Sequence, residues 1–141
     1  MRRTDADGAA SVWMRAVCAA LAIWAALPFA KLPALLRRIE AERAAEPVPE
    51  PLLKRRIDAA NKLSRFPLFV IRNNCLKRSL LLYYTLLISG VRGVRIHIGV
   101  HKRDEKLDGH AWLTVGGDVF ADTEEFVSKY RVIYSSGENG T

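Results

Sequence analysis

The chain has 141 residues, half of them hydrophobic, and a formal net charge of +7. That suits one domain, or a small domain with a helical attachment, and excludes wholesale disorder. Two cysteines, Cys18 and Cys75, with no CxxC pair and no His/Cys cluster at zinc spacing, argue against a disulfide framework and a structural zinc site. The basic residues are scattered. No helix-turn-helix, zinc-finger or single-strand-binding aromatic pattern accompanies them, so nucleic acid is not the expected partner.

The N-terminus resembles a signal peptide only superficially. Asp5 and Asp7 precede the apolar run and Arg15 interrupts its start. Pro28 and Lys31 end the run too early for a membrane span. The pattern predicts a first helix over Trp13–Leu27 and a second over Pro33–Ala45, with Pro33 in the first turn. Such a hairpin either packs on the domain or makes peripheral contact with a membrane surface. Cys18, inside the apolar run, reads as a small hydrophobe.

Pro47, Pro49 and Pro51 define an extended linker. Leu53, Ile57, Ala60 and Leu63 place a third helix over Leu52–Leu63. From Cys75 to Ser89 a strong helix follows, with Leu76, Leu80, Tyr83 and Leu87 on one stripe and Gly90 placed to end it. The period then changes from helical to two. Val94, Ile96, Ile98 and Val100 alternate with Arg95, His97 and Gly99, a strand. His101–Asp108 reads as a charged turn, with His97 and His101 at the surface. Gly109–Val115 is a second strand, Gly116-Gly117 a hairpin turn, and Asp118–Asp122 the returning strand. Thr123 can cap a short helix through Lys129, Tyr130–Tyr134 form a last strand, and 135–141 is an expected disordered tail.

This order puts a cysteine at a helix start, a histidine on a strand and an aspartate on the next strand. A helix N-terminus favours a thiolate through its unpaired N–H groups and macrodipole. A strand histidine can serve it as base, and a carboxylate can hold the other ring nitrogen. The candidates are therefore Cys75 as nucleophile, His110 as base and Asp122 as orienting carboxylate. Pairing around Gly116-Gly117 brings position 110 near 122 or 123, so Asp122 is preferred to Asp118, which stays open as the alternative. Asn73 and Asn74 are candidate oxyanion donors beside the Cys75 N–H, and Trp112 either lines the substrate cleft or is plain packing. Arg78 and Ser79 are expected only to support the helix surroundings.

The segment Asn74-Cys75-Leu76-Lys77-Arg78-Ser79-Leu80 resembles the nucleophile helix of bacterial lasso-peptide maturation proteases, which belong to the transglutaminase-like superfamily of papain-type thiol enzymes. Gly90-Val91-Arg92 with the strand from Val94, and Gly109-His110-Ala111-Trp112-Leu113-Thr114-Val115-Gly116-Gly117, are similar to their next connection, strand and hairpin. The likeness covers about residues 68–134. It implies an α+β fold, a papain/transglutaminase-like core in which a nucleophile helix packs on a small antiparallel sheet, with an N-terminal helical extension. The corresponding division is 1–50 helical hairpin and linker, 51–134 peptidase core, 135–141 tail.

The resemblance also implies a cytoplasmic leader peptidase, possessing no cofactor and needing neither metal nor ATP. It would cut the leader from a ribosomally made precursor peptide. No strand-rich recognition module is evident before residue 68, so a separate leader-recognition protein and an ATP-dependent lasso cyclase are the expected partners. The same triad would serve an acyl transferase that passes the acyl group to an amine. A non-enzymatic scaffold in the same biosynthetic complex, and a basic membrane-surface or nucleic-acid binder, are the other readings.

Overall fold

The computed structural model describes residues 5–26, 31–65 and 74–136. Its elements in chain order are α1 (Asp5–Ala26), α2 (Leu32–Ala41), α3 (Glu50–Ser64), α4 (Asn74–Ile88), β1 (Val94–Arg103), β2 (Lys106–Val115), β3 (Asp118–Phe120), α5 (Glu124–Val127) and β4 (Arg131–Ser135). The strands form one antiparallel sheet in the order β3-β2-β1-β4. The fold is α+β, helices packed on a small four-stranded sheet, as the sequence leads one to expect.

Helix α4 is central. Leu80, Leu81 and Leu87 are fully buried, and Leu82, Tyr83 and Leu86 nearly so. They share one core with Ala20 and Ile23 of α1, Leu35, Leu36 and Ile39 of α2, Ala60 and Leu63 of α3, and Val94, Ile96 and Leu113 of the sheet. A helix that is apolar nearly all round has to be enclosed by other elements.

The C-terminal end of α4 is tied down. Gly90 (φ 78°) closes it with a Schellman pair, Val91 N–H to Leu86 C=O and Gly90 N–H to Leu87 C=O. Arg56 of α3 donates to Ile88 C=O and to Ser89 Oγ. The linker crosses the same end, with Ala44 N–H on Leu87 C=O and Val48 N–H on Ser89 C=O. It passes so close that a Cβ at Gly90 would lie 2.3 Å from Glu46 O.

Several expected boundaries move. Helix α2 stops at Ala41, not Ala45, because the chain turns to reach the end of α4. Helix α3 starts at Glu50, two residues early, because Pro51 fits a first turn. Helix α1 begins at Asp5, not Trp13, extended through an alanine-rich segment of high helix propensity. The largest correction is the stretch His101–Asp108. It is not a turn: β1 and β2 stay paired out to Arg103↔Lys106, leaving only Asp104 and Glu105 between them. Asp104 takes a left-handed φ of 55°, which aspartate tolerates. At this hairpin tip both faces meet water, so no apolar alternation marks the strands. Ser135 belongs to β4, and Ser135 and Ser136 are both buried. Residues 137–141, the rest of the expected tail, lie outside the described residues.

Candidate active site

Strand β2 carries His110 in mid-strand, and its hairpin with β3 turns at Gly116 (φ 60°) and Gly117 (φ 93°). Two consecutive positive φ values are what a tight two-residue hairpin of this twist demands. The register runs Val115↔Asp118, Thr114↔Val119, Leu113↔Phe120. Pairing then stops, because Ala121 adopts a left-handed φ of 59°. That kink swings Asp122 toward β2. Its Oδ2 accepts from His110 Nε2 at 2.7 Å, and its Oδ1 accepts from Thr123 N–H at 3.0 Å. Both carboxylate oxygens are thus engaged. Asp118 sits beside the turn, opposite Val115.

An ionised carboxylate only accepts, so the proton on this pair belongs to Nε2. The other ring nitrogen, Nδ1, is left with its lone pair, and among the described residues it has no hydrogen-bond partner. The side chains of His110 and Asp122 are 15% and 20% exposed, which shelters the bond from competing water.

Cys75, second residue of α4, lines one small pocket together with His110 and Asp122. Arg78, Ser79, Leu82, Trp112, Leu113 and Phe120 are among the other residues that line it. The interior volume is about 20 Å³, room for a single water molecule. Being near the start of α4, the Cys75 backbone N–H is among the four that have no acceptor within the helix. Asn74 opens the helix, and Asn73 lies outside the described residues.

Two α4 side chains hold the helix in place against this pocket. Ser79 Oγ donates to Ala111 C=O at 3.0 Å, joining α4 to the neighbour of His110. Arg78 reaches Asn61 Oδ1 of α3 at 3.5 Å and the carbonyl of kinked Ala121 at 3.4 Å. Both also line the pocket that Cys75, His110 and Asp122 share.

Sequence reasoning missed the aromatic enclosure of His110. Trp112 stacks on the imidazole (centroids 5.9 Å apart, 16° between planes), Tyr130 lies tilted at 5.1 Å, and Phe126 of α5 points its edge at it from 5.0 Å. Trp112 is buried and Phe126 partly exposed. The Tyr130 hydroxyl donates to Asp108 Oδ2 at 3.0 Å. That phenol is raised above its ordinary value, first by burial, then by the hydrogen bond and charge of Asp108, with a smaller contribution from nearby Cys75. Gly99 makes the enclosure fit: a Cβ there would lie 2.8 Å from Tyr130 Cβ and 2.9 Å from the Trp112 ring. A glycine inside a strand is the sequence signal of such close approach.

His97 and His101 are not plain surface residues. His97 is half-buried, with its ring nitrogens bonded to Ser135 Oγ (2.6 Å) and Thr114 Oγ1 (2.8 Å), and it stacks on Trp112. It bridges β4, β1 and β2. His101 lies in β1, edge-on to Tyr130. Cys18 is exposed, where the apolar run had suggested a packed side chain.

A helix-borne thiol, a strand histidine and its carboxylate line one pocket, on helices packed against an antiparallel sheet. A family model for the transglutaminase-like superfamily matches residues 13–135, most of the chain, and the protein belongs to that superfamily of cysteine protease and acyltransferase type. No curated protein and no solved structure matches the chain in the same comparisons.

Proposed function

We propose that the protein is a cysteine peptidase that removes the leader from a ribosomally made lasso-peptide precursor. One observation carries the peptidase reading: Cys75, at the start of α4, opens into the same pocket as the His110–Asp122 pair. The lasso assignment rests on the likeness of Cys75-Leu76-Lys77-Arg78-Ser79-Leu80 and Gly109-His110-Ala111-Trp112 to the maturation proteases.

The chemistry follows from the geometry. The Cys75 thiol passes its proton to His110 Nδ1, and Sγ attacks the carbonyl carbon at the leader–core junction. The oxyanion is met by the Cys75 backbone N–H, with an Asn73 or Asn74 donor as second partner. The tetrahedral intermediate collapses, the C–N bond breaks, and the core amine leaves with the proton from Nδ1. The leader is now a thioester on Cys75. A water gives its proton to His110 and attacks, releasing the leader carboxylate and the thiol. Asp122 holds Nε2–H throughout and stabilises the imidazolium.

A separate leader-recognition protein would present the precursor, and an ATP-dependent cyclase would take the freed core.

The test is mass spectrometry of the precursor incubated with the leader-recognition protein and either wild type or Cys75→Ala. Cleavage at one junction that disappears in the variant supports the reading. Cleavage that persists, or no cleavage by wild type, turns the case toward a scaffold.

A further inference from the structure

The outer face of α1 is not used by the chemistry above. From Gly8 to Ala26 the helix has a single charged residue, Arg15. Its solvent-facing side carries Met14 (66% exposed), Cys18, Leu21 (52% exposed) and Ala25, at spacings of four, three and four. This is one continuous apolar stripe from Met14 to Ala25 of the 22-residue helix, about 17 Å long. Trp13, 41% exposed, flanks it. Soluble proteins leave single apolar side chains in water, but seldom a whole helix face.

The charges around the stripe have one sign in excess. Arg15 stands on α1, and Arg37 and Arg38 on α2 are exposed. Among the described residues none of the three makes a hydrogen bond or ion pair. Arg15 also faces Arg56, whose guanidinium is pushed below its ordinary value by burial first and then by the Arg15 charge. Glu42 is the acidic residue lining the groove between α1 and α2, which Arg15 and Arg38 also line. An exposed apolar stripe with a tryptophan at its flank and unneutralised arginines at its rim is the surface that lies in the headgroup region of an anionic bilayer. Among the described residues no helix is long and apolar enough to cross a membrane, which limits the contact to lying on the surface.

We infer that the outer face of α1, with Arg15, Arg37 and Arg38 around it, docks the protein on an anionic phospholipid bilayer. The stripe enters the headgroup–acyl boundary and the arginines meet lipid phosphates. This inference is independent of the peptidase reading, since its test involves no precursor.

The experiment is co-sedimentation of the full chain with vesicles of phosphatidylcholine alone or of equimolar phosphatidylcholine and phosphatidylglycerol. Two variants accompany wild type: Met14→Ser/Leu21→Ser, and Arg15→Glu/Arg38→Glu. Wild type should bind the anionic vesicles, weaken as salt rises, and leave the neutral ones in solution. Removing the two apolar side chains should lower the partition coefficient on the order of tenfold or more. Reversing two arginines should cost at least roughly fivefold for each. All four substituted positions are exposed, so circular dichroism should match wild type. Absence of binding to the anionic vesicles, equal binding to both compositions, or wild-type binding by both variants would overturn the inference; the stripe would then belong to a protein partner.

Discussion

The two faces of the sheet differ as sharply as two parts of a small protein can. One presents Val94, Ile96 and Leu113 to the helices, all buried in the core. The other presents His97, Trp112 and His110, with Tyr130 over them, bonded and stacked in a polar–aromatic network. The register sets them back to back: Ile96 pairs with Leu113, His97 with Trp112, and Gly99 with His110. Alternation at period two lets the same ten-residue strands hold the fold together with one face and position His110 with the other. Damage to one face should therefore appear as lost stability, and damage to the other as lost turnover.

The largest effect expected is on turnover. His110→Ala should reduce kcat on the order of a thousandfold or more, while the urea midpoint moves little. Asp122→Asn should lower kcat in the same direction with KM nearly unchanged, because the carboxylate acts through His110 and does not touch substrate. If either variant instead unfolds the protein, the separation of the two faces is wrong.

On the helix side, Ile96→Ala removes a fully buried side chain that does not line the pocket. It should cost about 3 kcal/mol by denaturant titration, with kcat per folded molecule close to wild type. Gly99→Ala tests how tightly the rings pack on the His110 face. Its methyl must displace Tyr130 or Trp112, so about 1–3 kcal/mol of stability should be lost together with part of kcat. A neutral outcome would mean that the rings around His110 move freely.

The smallest effect is on the pH dependence of stability. Tyr83 donates to Glu40 Oε1 at 2.9 Å, and burial, the largest cause, pushes its hydroxyl up to about 12. The raised value means that the folded state favours the neutral phenol. This contribution is fully present below the ordinary tyrosine value of about 10, and it is lost as pH climbs through about 12. Tyr83→Phe should flatten that alkaline decline. Near neutral pH the variant should cost only about 1 kcal/mol, from the lost hydrogen bond. Thermal melts across the alkaline range would read both.

Much of this architecture can be read from the chain. The helical stripe after Cys75, the switch to period two at Val94 and the Gly116-Gly117 turn mark the elements and their order. The hairpin count also brings positions 110 and 122 together. Other features depend on contacts that no local pattern records. The paired strands beyond His101 lack alternation because both their faces are wet. The rings around His110 come from β2, α5 and the residue just before β4, and only the folded chain brings them together. His97 looks like an outward strand residue until β4 arrives beside it with Ser135. The kink at Ala121 carries a positive φ on a residue that gives no hint of it.

The two cysteines offer the most direct test of the central claim. Cys18 is exposed on α1, and Cys75 is half-buried beside His110. Accessibility alone would let iodoacetamide modify Cys18 first. Timed alkylation near neutral pH, read by peptide mass spectrometry in wild type and His110→Ala, separates accessibility from activation. The account predicts that Cys75 is modified first in wild type and that its lead vanishes in the variant. Faster labelling of Cys18 in wild type, or a Cys75 rate indifferent to His110, would contradict it.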